Sequence, residues 1–184
     1  MQIINRAQSG DREAFATLFE QNKNLVYKTA YLMLGDPTEA EDALQEIFVR
    51  VYRSLPGFDP GKAAFTTWLY RVTFNYCLNH RRKKHPFTLP LDELSPPLRS
   101  EFSVAQLAEE EVLQQAIGKI SDKQRAVVVL RYFWDLPYAQ IAQILEIPLG
   151  TVKSRLDLAL KTLRKVLEEQ ESGKGSVSPM EVCE

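Results

Sequence analysis

The pattern of this chain predicts an all-α fold: two small helical domains joined by an extended linker, the C-terminal domain carrying a helix-turn-helix. Three observations predict it. Apolar residues recur at helical spacing along almost the whole chain, and no stretch sustains the period-two alternation of a half-buried strand. The helical pattern lapses once, from His85 to Ser103, where Pro86, Pro90, Pro96 and Pro97 fall among scattered serines and acids. Proline holds its own and the preceding residue out of helix, so this stretch reads as extended. The expected division is a first domain over 1–84, a linker over 85–103, a second domain over 104–169 and a disordered tail over 170–184.

Each element follows from local signals. A first helix pair is expected over Arg12–Glu20 and Leu25–Leu34. After the Gly35-Asp36-Pro37 turn, Thr38 with Glu41 has the spacing of a capping box. It would open a helix whose stripe is Leu44, Ile47, Phe48, Val51 and Leu55. The Pro56-Gly57-Phe58-Asp59-Pro60-Gly61 stretch breaks that helix. The next runs over Ala63–Lys84, with Phe65, Trp68, Leu69, Val72 and Tyr76 as its stripe. Beyond the linker the pattern resumes at Val104. Ser121 with Gln124 is a second capping box, opening a helix that includes Val127, Val128, Leu130 and Arg131. A short helix over Tyr138–Leu145, a turn at Glu146-Ile147-Pro148 and a long helix from Gly150 to Glu169 complete the domain.

Composition narrows the class. The 184 residues carry a net charge of −1, with 45% hydrophobic and 26% charged residues, which is ordinary globular composition. No apolar run approaches the roughly 20 residues that cross a bilayer, and the N-terminus lacks a signal-peptide pattern. Cys77 and Cys183 are far apart and form no CxxC, so neither a disulfide framework nor a zinc site is expected, and a reducing cytoplasm is the natural compartment. No HExxH, GxSxG or Gly-rich phosphate loop occurs, and His80 and His85 lie in or beside a basic cluster. No catalytic group, metal ligand or cofactor is expected.

The near-zero net charge hides segregation. Asp36, Glu39, Glu41, Asp42 and Glu46 form an acidic block, whereas Arg71, Arg81, Arg82, Lys83 and Lys84 form a basic one. Acids dominate again over Asp92–Glu111, and bases over Lys153–Lys165. Such blocks create local fields that suit nucleic acid at one face and a basic protein at another.

Three motifs carry function. Tyr138–Leu145, a short turn and Thr151-Val152-Lys153-Ser154-Arg155-Leu156 have helix-turn-helix grammar. Small Ala142 permits close crossing, Val152 and Leu156 anchor the second helix, and Thr151, Lys153, Ser154 and Arg155 stand where base edges and phosphates are met. On the Ala63–Lys84 helix, Trp68 belongs to the core stripe. Tyr70, Phe74 and Cys77 lie on another face leading to Arg81, and two readings fit them. They are a stacking platform for unwound nucleic acid, or the helix is buried on two sides. Asp42, Gln45, Glu46 and Val49 share a strip that is either a solvated helix face near an N-terminus or a docking surface for a basic partner.

In this order and spacing the motifs resemble extracytoplasmic-function (ECF) sigma factors, bacterial promoter-recognition subunits. Ala40 to Leu55 resembles the family's core-polymerase-binding helix, Phe65 to Asn75 with Arg81-Arg82 its minus-ten helix, and Tyr138 to Leu156 its minus-thirty-five reader. The resemblance covers about Gln8–Leu167. It implies docking on the clamp helices of the polymerase largest subunit through Asp42, Gln45, Glu46 and Val49. It implies minus-ten contacts by Arg50, Phe58, Arg71, Asn75, Arg81 and Arg82, with Phe58, Arg50 and Asn75 around a flipped base. It implies minus-thirty-five contacts by Thr151, Lys153, Ser154, Arg155 and Asp157, a contact with the flap of the second-largest subunit, and control by an anti-sigma factor. One departure stands out: Asp157, Leu158 and Leu160 occupy a run that is usually basic in the family, so fewer phosphate contacts are expected. Asp157 then either reads a base or faces solvent, with Leu158 and Leu160 packed on a neighbouring helix or on a regulator. Two rival functions, a dimeric helix-turn-helix regulator with a sensor domain and a nucleic-acid-processing enzyme, lack respectively a ligand pocket and a catalytic constellation.

Overall fold

The computed structural model describes residues 2–84, 114 and 116–174. The regular elements are helical: α1 (Gln2–Gln8), α2 (Arg12–Leu34), α3 (Pro37–Ser54), a 3-10 turn (Leu55–Gly57), α4 (Phe65–Lys84), α5 (Asp122–Val128) continuing into a π-helical turn (Val129–Phe133), α6 (Tyr138–Leu145) and α7 (Leu149–Lys174). No strand occurs among the described residues. The expected linker, the first residues of the second domain and the end of the tail lie outside them. No described helix is long and apolar enough to cross a membrane.

Several local expectations are corrected. α2 is one helix, not two. Gln21, Asn22, Lys23 and Asn24 are polar but include no breaker. Asn22 Nδ2 donates to the Leu18 carbonyl at 2.8 Å and Lys23 pairs with Glu20 at 2.6 Å, so the polar run decorates a continuous helix. α3 is capped by Asp36, whose carboxylate accepts from the Glu39 N–H at 2.8 Å, and not by a Thr38–Glu41 box. Pro37 takes the first helical position, where its missing N–H costs nothing. α7 continues to Lys174, past the expected end at Glu169, because Glu168, Glu169, Gln170 and Glu171 are helix formers with no glycine until Gly173. The short helix α1 was not foreseen; the turn after it passes through Gly10, in the left-handed region at φ 90°, and Asp11 then caps α2 by accepting from the Glu13 and Ala14 N–H groups at 3.0 Å. By contrast, the Ser121–Gln124 capping box forms as expected.

Helices α2, α3 and α4 pack around Val26, Met33, Ile47, Val51, Leu69 and Phe74, all with no exposure. Each such side chain stabilises the unit by about 1.5–3 kcal/mol. A satellite cluster joins α1 to the loop before α4: Ala7, Ala14, Leu18, Leu55 and Phe58 are buried together. Gln8 fastens that loop by donating to the carbonyls of Leu55 at 3.1 Å and Phe58 at 2.7 Å. In the C-terminal unit, Val127, Leu130, Ile141, Ile144, Val152, Leu156 and Ala159 form the core of α5, α6 and α7.

The two units touch. Buried side chains of both belong to one continuous apolar cluster, and Trp134 packs on Tyr70 with ring centroids 5.6 Å apart.

Candidate nucleic-acid and polymerase interface

Helix α3 buries one side and offers the other. Ala40, Ala43, Ile47, Phe48 and Val51 face the core. Asp42, Gln45 and Glu46 are exposed, and Val49 and Tyr52 beside them are 43% and 47% exposed. The expected strip therefore exists as a free surface in which carboxylates flank large apolar groups. That composition suits a protein partner carrying cations on an apolar ground.

The edge between α3 and α4 carries a ladder. The Arg50 guanidinium lies over the Tyr76 ring at 4.9 Å, within cation–π range. Tyr76 stacks on His80 at 5.8 Å with planes 22° apart, and His80 Nε2 lies 3.4 Å from Glu39. Burial and then the Glu46 charge raise the Tyr76 phenol above its ordinary value. Asn75 is exposed beside this ladder.

Phe58 is placed differently from the expectation of an open pocket wall. It is only 6% exposed, with Phe65 and Trp68 at 5.8 and 5.1 Å. Its ring is part of the satellite core. Tyr70, Phe74 and Cys77 settle the open choice about their face: all three are buried, so α4 is covered on two sides. Burial pushes the Cys77 thiol up to about 12.

The basic residues of α4 divide. Arg82 is exposed. Arg71 and Arg81 are engaged by the C-terminal unit. Arg71 pairs with Glu146 at 3.1 Å and donates to the Gln143 carbonyl at 3.1 Å. Arg81 pairs with Asp122 at 2.5 Å and donates to the carbonyls of Met33 and Leu34 at 3.3 Å, at the C-terminal end of α2.

In the C-terminal unit, Glu146 closes α6 with φ 54° and ψ 44°, a left-handed residue whose N–H returns to the Ala142 carbonyl. Pro148 then receives the Thr151 N–H at 2.9 Å and starts α7. Val152 and Leu156 point into the core, so Lys153 and Ser154 are exposed and Thr151 and Arg155 half-buried at the helix start. Ser154 donates to the Thr151 carbonyl at 3.1 Å. Asp157 is exposed and paired with Lys161 at 2.8 Å. Leu158 and Leu160 are 54% and 42% exposed, so of the two neighbours expected for them, a helix of this chain or a regulator, the helix is ruled out.

Sequence reasoning missed Asp122, Arg125, Trp134 and Glu146 as residues that join the two units. The one available signal was Glu146, a long acidic side chain where a helix stop most readily takes glycine or asparagine.

Residues 18–86 match the model of Sigma-70 region 2, and residues 110–163 match that of Sigma-70, region 4. A structure of CnrH in complex with the cytosolic domain of CnrY is similar in fold, with a TM-score of 0.67 at 24% identity, covering 91% of this chain and 96% of that one. So is the sigma factor RpoE from Bartonella quintana, solved in complex with the anti-sigma factor NepR, with a TM-score of 0.64 at 19% identity and coverage of 84% and 96%. The ECF RNA polymerase sigma factor SigW of Bacillus subtilis (strain 168) is 36% identical over 179 residues, which is 90% of this chain and 95% of that protein. Two sigma-70 regions in order, and this identity along nearly the whole of a relative, establish that the chain belongs to the ECF RNA polymerase sigma factors, which direct RNA polymerase to promoters.

Proposed function

We propose that this sigma factor divides its work among three surfaces. Residues 1–84 act as region two. Their α3 strip, Asp42, Gln45, Glu46 and Val49, docks on the clamp helices of the polymerase largest subunit. Beside it, Arg50 and Asn75 receive an unstacked base of the minus-ten element, with Phe58 fixing the shape of the loop from below. Arg71, Arg81 and Arg82 hold phosphates. Residues 85–103 link the units, and residues 104–169 act as region four, which meets the flap of the second-largest subunit. There Thr151, Lys153, Ser154, Arg155 and Asp157 face the minus-thirty-five duplex. The protein needs no catalytic group, because polymerase supplies the chemistry, and it works in the cytoplasm with core polymerase. An anti-sigma factor of the kind bound to the similar RpoE restrains it.

The observation that carries this reading is the Arg50–Tyr76 stack. It couples the docking helix to the minus-ten helix, so that a partner seated on Asp42 and Glu46 lies one helix from the base pocket. Flipping a base costs a few kcal/mol, and a cation beside an aromatic ring and an exposed amide can offset it. Co-purification with core polymerase tests the reading. The wild type should be retained with core, and a chain with both Asp42 and Glu46 changed to Lys should not. Equal retention would remove the strip from the account.

A further inference from the structure

The loop that carries Phe58 is held by a residue far along the chain. Pro56 and Pro60 have no backbone N–H, so the stretch between α3 and α4 closes few hydrogen bonds of its own. One runs from the Phe58 N–H to the Leu55 carbonyl at 3.0 Å. Further fastening comes from α1. Gln8 is half-buried, and 47 and 50 residues separate it from Leu55 and Phe58. Its Nε2 donates to the Leu55 carbonyl at 3.1 Å and to the Phe58 carbonyl at 2.7 Å. A carboxamide nitrogen carries two hydrogens, so one side chain makes both bonds at once.

Helix α1 is anchored in its turn, which lets it act as a strut. A seven-residue helix does not hold alone in water. Ala7 is buried with Leu55 and Phe58, and Ile3 and Ile4 pack on the same cluster. Arg6 Nη2 lies 2.7 Å from the Asp11 carboxylate, which also caps α2. The base of the loop is thus tied through Gln8 and α1 to the start of α2.

Beyond Phe58 the tip of the loop closes on itself. Asp59 Oδ1 accepts from the Gly61 N–H at 2.9 Å, and the Asp59 carbonyl accepts from the Lys62 N–H at 3.1 Å. A turn closed in this way moves as one piece, so its base sets where the exposed tip, Asp59 to Lys62, stands. Phe58 itself rests on Phe65 and Trp68. Trp68, Val72 and Asn75 follow at i, i+4 and i+7 on one face of α4. The loop therefore stands at the foot of the face that bears Asn75, with Trp68 and Asn75 about 10 Å apart along the axis.

We propose that Gln8 is a positioning residue for minus-ten recognition: through the Leu55 and Phe58 carbonyls it fixes the loop beside the pocket of Arg50 and Asn75, and so sharpens the choice of base there. This rests on the reading of Asn75 and the Phe58 loop as minus-ten contacts. Gln8 acts through the loop and touches no DNA. Without its two donors the loop takes several placements in place of one, and the preferred base loses an advantage of about fivefold, the factor set by one neutral hydrogen bond.

The test uses holoenzyme assembled from core polymerase and the full chain, transcribing a promoter library randomised at both elements. Sequencing the transcripts gives the base preference at every position. Gln8→Met keeps the volume and removes both donors. Gln8→Asn keeps the amide and withdraws it by one methylene. Both variants should flatten the minus-ten preference about fivefold, while the minus-thirty-five preference, read from the same transcripts, stays as in the wild type. An unchanged minus-ten preference in both variants overturns the proposal, and a lowered melting temperature beside it would leave Gln8 as a stabilising residue only. Equal flattening at both elements also overturns it, because that reports a general loss of structure. Asn75→Ala tests the reading beneath. If it leaves the minus-ten preference intact, the pocket reading has failed and the proposal with it. If it flattens the preference and Gln8→Met does not, the proposal alone has failed.

Discussion

Arg50 and Tyr76 tie the helix that carries the acidic strip to the helix that carries the basic one, with the guanidinium 4.9 Å above the ring. Tyr76 is held in turn by His80, and His80 by Glu39 near the start of α3. The contacts form a closed circuit between α3 and α4. Side chains therefore tie the two helices together, and Asn75, next to Tyr76 on α4, is exposed.

Asn75 and Phe58 should separate by variant. Asn75→Ala removes an exposed side chain and should leave the melting temperature unchanged, while reducing open-complex formation more than initial promoter binding. Phe58→Ala empties a buried site and should cost about 3–5 kcal/mol in denaturant unfolding. Equal loss of closed and open complexes with Asn75→Ala would assign it to duplex contact.

Cys77 should resist alkylation. It is fully buried, and its thiol is pushed from 9.0 to about 12, so at pH 8 the thiolate fraction is smaller by about 10³. Peptide-level mass spectrometry after iodoacetamide should find it unmodified in the folded protein and modified in guanidinium. Rapid modification under native conditions would contradict the packing of α4.

Asp157 offers a test of base reading. A carboxylate in the major groove accepts from the cytosine amino group, and a good contact is worth about 1–3 kcal/mol of discrimination. Its pairing with Lys161 contributes about 0.3–0.5 kcal/mol, so Asp157→Ala should barely change stability. A selection on minus-thirty-five sequences should show a cytosine preference in the wild type that the variant loses. The same preference in both would leave Asp157 as a repelling charge.

The helices and the sides they bury were legible because both follow from apolar spacing. Ile47, Phe48 and Val51 are buried as their stripe required, and Lys153 and Ser154 are exposed because Val152 and Leu156 turn inward. Caps were less legible: Thr38 had the spacing of a capping box, yet Asp36 before Pro37 took the role. A box and a proline start compete for the same turn, and spacing does not rank them. The surroundings of Phe58, Arg71 and Arg81 were hidden. Each is decided by a partner far along the chain, such as Gln8 for the Phe58 loop and Glu146 for Arg71, and no local period encodes such a pairing. The exposure of Leu158 and Leu160 was hidden for the same reason, since burial of a leucine beyond the main stripe depends on what lies opposite.

The strip on α3 should be needed for assembly but not for folding. Changing Asp42 and Glu46 together to Lys should abolish binding to core polymerase while the helical circular-dichroism signal stays intact, because both side chains are exposed. Loss of the helical signal would mean that the strip supports the fold.

The central claim is that these surfaces together place polymerase at promoters. Run-off transcription with core polymerase on a promoter library tests it most directly. The account predicts discrete transcripts with the wild type, initiated downstream of a shared minus-ten and minus-thirty-five pair. They should be lost when Asp42 and Glu46 are changed to Lys, and reduced with Asn75→Ala. Transcripts no different from those of core alone, or undiminished in the charge-reversed chain, would contradict it.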